Sequence, residues 1–210
     1  MRRQPVLFVS HGAPTHALDT GPYSASLRRF GDALTGEARP SAIAGVPAVV
    51  TPVRGLDHGA WVPLRLALPD ASIPVVQVSL PAVPPEALVA FGEALRPLRD
   101  EGVLLVASGG LVHNLGDLDF AHPDAAPAPW ALDFDRWTWE RAALQEREAL
   151  VRWQRLAPNP ARAHPHSDHF DPLLVALGAA WPGERAESIF EGIAYATLSL
   201  RTFAFRPAAA

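Results

Sequence analysis

The chain has 210 residues, 49% hydrophobic and 19% charged, with a formal net charge of −4. That balance fits one globular domain, taken here as residues 1–210, and excludes a disordered chain. It contains no cysteine and no lysine, which rules out disulfides, thiolate metal sites and cysteine nucleophiles. With no basic run, nothing forms the electrostatic footprint of a nucleic-acid binder.

From the N-terminus, Val6 to Val9 is an apolar run too short for a signal peptide core. No later stretch reaches membrane-spanning length, so the expected compartment is the cytoplasm. Pro5 to Ser10 predicts a buried first strand that stops at His11-Gly12-Ala13-Pro14. Pro22 to Leu34 has helical spacing, with Leu27, Phe30 and Leu34 on one face. Ala48 to Val50 is a candidate strand, Trp61 to Leu68 a short helix and Pro74 to Leu80 a strand. A helix follows Pro84-Pro85 to about Arg99, with proline in its first turn. Val103 to Ala107 reads as a buried strand closed by Ser108-Gly109-Gly110. Asp133 to Leu156 predicts one long helix with Trp137, Leu144 and Val151 inward. His169 to Ala180 predicts another, and Ile189 to Phe205 a closing hairpin or pair of strands. Strand–helix alternation of this kind predicts an α/β fold with a mostly parallel open sheet flanked by helices. Sites in such sheets lie beyond the carboxyl ends of the strands.

Four histidines fall where that rule directs attention. His11 directly follows the first strand; it is either a loop histidine before a turn or an imidazole held at a strand end. His58, beside Asp57, is either part of a helix cap or a ring oriented by a carboxylate. His113 follows a glycine pair that lets a ligand approach the backbone closely; it is either a satisfied buried histidine or a shielded acid/base. His169 ends a run with His164 and His166, which read as solvated loop residues; Ser167 or Asp168 would cap the helix that His169 enters. His16 and His122 are weaker candidates, the latter opening a Pro-rich loop that could cover the site. No G-x-S-x-G turn, phosphate-binding glycine loop or H-E-x-x-H helix occurs, which leaves histidine–metal or histidine acid/base chemistry over serine hydrolysis or zinc hydrolysis.

These segments, in this order, resemble the class III extradiol ring-cleaving dioxygenases of DODA type, the 4,5-DOPA dioxygenase-like group. The resemblance rests on Phe8-Val9-Ser10-His11-Gly12-Ala13-Pro14, Gly55-Leu56-Asp57-His58-Gly59-Ala60-Trp61 and Pro74-Val75-Val76-Gln77-Val78-Ser79. It continues through Val106-Ala107-Ser108-Gly109, Leu111-Val112-His113-Asn114-Leu115, Asp168-His169-Phe170, Pro172-Leu173-Leu174 and Leu198-Ser199-Leu200-Arg201-Thr202-Phe203. It implies one Fe(II) or Zn(II) per chain, with His11 and His169 as metal ligands. It also implies His113 as the acid/base, His58 in the substrate pocket, and a catechol-type aromatic and O2 as substrates.

One departure matters. The family carries a further ligand histidine in a serine-alanine-histidine-tryptophan motif at the end of its second strand. Here Arg39-Pro40-Ser41-Ala42-Ile43 begins that region, and Ala44-Gly45-Val46-Pro47-Ala48-Val49-Val50 resembles the segment just before the Asp57-His58-Gly59 motif. The block between them, with its histidine, is missing, and the second strand and following helix are expected to go with it. Two ligands cannot fix a facial site. Either His58 or His16 becomes a third ligand, or the chain is a catalytically impaired relative serving as a binding or interaction module. An unpaired sheet edge would also favour a homodimer.

Overall fold

A computed structural model of the chain describes residues 3–46 and 55–207. The candidate strand at Ala48 to Val50 lies outside them. The first strand, β1 (Val6–Ser10), is buried throughout, and helix α1 (Pro22–Asp32) follows. Next come β2 (Ala42–Val46), α2 (His58–Ala67), β3 (Val75–Gln77) and α3 (Pro85–Leu95), the last continued by a 3-10 turn to Arg99. Strand β4 (Val103–Gly109) leads into α4 (Pro129–Ala143), α5 (Arg147–Val151), α6 (Trp153–Leu156), α7 (Pro160–Ala163) and α8 (Asp171–Ala179). The chain closes with β5 (Arg185–Phe190), the short pair β6 (Ile193–Ala194) and β7 (Leu198–Ser199), and β8 (Thr202–Arg206).

The main sheet has the order β3-β2-β4-β1-β8-β5. β3, β2, β4 and β1 are mutually parallel; β8 and β5 add antiparallel to one end. Period-two alternation decides which face each residue meets. Leu105 and Ala107 of β4, with Val6 and Phe8 of β1, pack under α3, α4 and α8. Leu104 and Val106, with Leu7 and Val9, pack under α1 and α2 against Leu27, Phe30 and Val62. Layers of helix, sheet and helix thus enclose two apolar cores. Among the described residues, no helix is long and apolar enough to cross a membrane.

Three expectations need correction. The second strand is not lost: Ala42–Val46 forms β2, between β3 and β4. Ile43, Ala44 and Val46 are buried, so Ala42–Val46 supplies one continuous apolar strand in register with β4. The long helix breaks after Ala143, because Gln145 takes φ 53°, in the left-handed region, and its side chain donates to the Trp181 and Glu184 carbonyls. Leu144 consequently faces solvent, 71% exposed. The third concerns His169: α8 begins at Asp171 behind Phe170, so His169 sits on the turn before the helix, and neither Ser167 nor Asp168 caps it.

Candidate functional site

The carboxyl ends of β1 and β4 gather the four histidines. His11 leaves β1 with its backbone N–H donating to the Gly109 carbonyl at 3.2 Å, and its side chain is buried. Its ring lies 5.1 Å from that of His58, edge-on, and 5.3 Å from that of His169. His113 stacks on His169 with centroids 3.5 Å apart and planes within 3°. These are the positions that the sequence singled out, and the fold brings them together.

Each ring is held by an identifiable contact. Ser108 donates its hydroxyl proton to the Gly59 carbonyl, so toward His11 Nδ1, 3.0 Å away, it can only accept. His11 therefore carries its proton on Nδ1 and presents a bare Nε2. His58 opens α2 behind Asp57, whose carboxylate accepts from Gly59 N at 2.9 Å and lies 3.3 Å from His58 Nδ1. His113 N donates to the Ala163 carbonyl at the end of α7. The Asp168 carboxylate lies 3.1 Å from His169 Nδ1, at ion-pair distance though outside hydrogen-bond alignment. The Gly110 N–H donates to the His169 carbonyl. That approach explains Gly109, where a Cβ would lie 2.2 Å from the same carbonyl oxygen.

Burial, reinforced by the neighbouring imidazoles, first of all His169, pushes His11 well below its ordinary pKa. Burial and then His169 push His113 down to about 4. Both rings are neutral near pH 7, the state in which an imidazole ligates a cation or accepts a proton.

The other histidines stand apart. His164, expected to be solvated, is buried; its Nε2 donates to the Leu111 carbonyl at 2.8 Å and its ring packs among Phe134, Trp153 and Phe170. His166 is exposed, as expected. His122 pairs with Asp119 on the surface. His16 is engaged through Nδ1 with the Ala13 backbone and lines a separate cavity of about 450 Å³ with Tyr23, Phe190 and Tyr195. Pro123 and Asp124 of the Pro-rich loop line that cavity, so the loop flanks His16.

As a metal centre the cluster is one donor short. Two imidazoles on one ion, bonded at about 2.0–2.1 Å, place their centroids roughly 5 Å apart, which suits His11 and His169. Among the described residues, however, no three histidine, aspartate or glutamate side chains converge on one point. The arrangement fits half a metal site. Sequence reasoning missed Ser108 as the group that fixes the His11 tautomer; its only local signal was its place at a strand end.

The profile of the family described as the catalytic LigB subunit of aromatic ring-opening dioxygenase matches residues 38–205. A 4,5-DOPA dioxygenase extradiol of Beta vulgaris is 42% identical over 137 residues, 65% of this chain and 50% of that protein. The chain thus spans about half the length of this plant relative. A protein of the same description from Escherichia coli K12 is 31% identical over 260 residues, covering 94% of this chain and 93% of its own length. That alignment is longer than the 210-residue chain, so the relative has residues without a counterpart here. The crystal structure of an uncharacterized protein, JW3007, from Escherichia coli K12 superposes with a TM-score of 0.85 at 30% identity, covering 97% of this chain and all of the other.

Proposed function

The chain belongs to the LigB family of aromatic ring-opening dioxygenases, and from that premise we propose that it opens a catechol-type aromatic ring with O2 in the extradiol manner. The observation that carries the reading is the convergence of His11, His58, His113 and His169 at the strand ends. In this reading His113 is the acid/base: kept neutral by burial, it accepts a catechol hydroxyl proton and returns it during ring opening. His58, with its side chain 42% exposed, lines the pocket and contacts substrate. His11 and His169 face a metal, Fe(II) or Zn(II), with their Nε2 atoms. The described donors do not complete a metal site. The cytoplasm as compartment and a homodimer as assembly belong to the same proposal.

A second reading, an impaired relative that binds ligands without turnover, is favoured by the two-donor set. One experiment separates the two. The protein is loaded anaerobically with Fe(II), then given a panel of catechols and O2. A yellow ring-opened product, reduced at least 100-fold in His113→Ala, supports the dioxygenase; no product from any catechol, with iron demonstrably bound, leaves the binding module.

A further inference from the structure

Several polar groups that ring opening leaves unused gather around the cavity beside His16, whose lining includes none of the four strand-end histidines. Its volume, about 450 Å³, falls in the range of small-molecule sites, roughly 300–1,000 Å³. Three aromatic rings line it. Phe190, at the end of β5, stands edge-on to Tyr23 with centroids 5.4 Å apart, and the Tyr23 hydroxyl donates to the Ser10 carbonyl at 2.6 Å. Tyr195 enters from the turn between β6 and β7. It and Ala196 take φ 52° and 65°, the left-handed region for two successive residues that are not glycine. Such a conformation persists where the surroundings over-determine it. Here the loop after Leu118 does so: the Tyr195 N–H donates to the Pro123 carbonyl, while the Tyr195 and Ala196 carbonyls accept from the Asp119 and Ala128 N–H groups. The same latch holds the loop that brings Asp124 to the cavity wall, which Asp19 also lines.

The polar groups there have capacity to spare. Asp19 Oδ1 accepts from the Gly21 N–H, and Asp124 makes no hydrogen bond to a described residue. Among the described residues neither carboxylate has a cation within ion-pair distance. His16 is only 8% exposed. Its Nδ1 accepts from the Ala13 N–H at 2.9 Å, so the ring proton resides on Nε2, which has no partner among the described residues. The two carboxylates repel an anion. A purely apolar guest would bury the Nε2–H donor without a partner, at a cost. An ammonium group suits the carboxylates and the aromatic rings, and an oxygen beside it suits His16. We propose that this cavity binds a small primary amine with an acceptor oxygen close by, of the amino-alcohol class. The ammonium is held by Asp19, Asp124 and the rings of Tyr23, Phe190 and Tyr195, and the oxygen accepts from His16 Nε2. This site stands independently of the ring-cleavage reading.

Calorimetric titration of the intact chain with phenylglycinol, an aromatic amino alcohol, tests it. Three matched compounds each lack one feature: phenethyl alcohol has no amine, benzylamine no hydroxyl, and phenylacetate carries an anion in place of the cation. The expected result is one phenylglycinol per chain, with phenethyl alcohol and phenylacetate at least about tenfold weaker and benzylamine weaker by about fivefold, the worth of one neutral hydrogen bond. Asp124→Asn, which keeps the shape and removes the charge, is expected to weaken phenylglycinol about tenfold. So is Tyr195→Gly, which removes the ring and suits the positive φ; thermal melts check that both variants fold. His113→Ala is expected to bind phenylglycinol as the wild type does. Absence of binding at millimolar phenylglycinol overturns the proposal, as does equal affinity for phenethyl alcohol or phenylacetate. Unchanged affinity in both Asp124→Asn and Tyr195→Gly overturns it too. Loss of binding in His113→Ala would place the amine at the strand-end histidines and overturn this site, whether or not the chain opens aromatic rings.

Discussion

Ser108 has a single hydroxyl proton, and the Gly59 carbonyl takes it. The hydroxyl thereby becomes a pure acceptor for His11 Nδ1 and dictates which nitrogen of a buried ring is bare. Removing it frees the ring to rotate and to exchange tautomers. Groups that orient a ligating imidazole in this way typically contribute 10–100-fold to metal affinity or activity. Ser108→Ala is accordingly expected to lower kcat on a catechol by about 10–100-fold while the folded state persists, and Ser108→Thr, which keeps the hydroxyl, is expected to recover most of the loss. Steady-state kinetics beside thermal melts check it; equal activity in the Ala variant would show that His11 is oriented by packing alone. Beyond its place at a strand end, nothing local in the sequence announces this role. Ser108 and its two partners are brought together only by the pairing of β1 with β4 and the docking of α2.

At the scale of elements, what was legible is what is local. β1, β4, α1 and α3 show in the sequence because apolar period and flanking proline or glycine are written within each segment. The break at Leu144 to Glu146 was not legible. Gln145 is fixed by carbonyls of Trp181 and Glu184, distant residues that no window of sequence contains. The same holds for the bidentate ion pair of Arg99 with Glu184, fully buried and also tied to the Gln4 and Ala179 carbonyls. It holds again for His164, which follows α7 and inserts among rings from α4, α6 and the α8 cap. Burial lowers His164 to about 4 from an ordinary 6.5. The unfolded chain therefore binds a proton that the folded chain refuses between those values. Its contribution to stability is present above pH 6.5 and is lost as pH falls toward 4, by roughly 3 kcal/mol in all. Urea denaturation across pH 4–7 should show this slope in the wild type and a shallower one in His164→Gln, which cannot titrate but retains a donor for Leu111. Parallel slopes would show that the acid sensitivity comes from other groups, with His11 and His113 foremost.

The whole molecule presents two sheet ends, and they differ in chemistry. β5 carries Arg185 and Glu187, the latter paired with Arg206, charges of the kind that discourage strand addition. β3 carries none, and no aspartate, glutamate or arginine occurs from Ala71 to Pro85. Val76, at its centre, is 59% exposed. Among the described residues, β3 pairs only with β2, so its outer backbone groups meet no described strand. A second copy related by a two-fold axis could pair its own β3 antiparallel to this one and run one sheet through both protomers, an isologous contact that closes on itself. The prediction is a dimer at micromolar concentration in light scattering, converted to monomer by Val76→Lys with little change in melting temperature, since the lysine would point into solvent. A wild-type monomer at those concentrations would remove the dimer from the proposal without touching the site, because the four histidines stand at the carboxyl ends of the strands and not along the sheet edge.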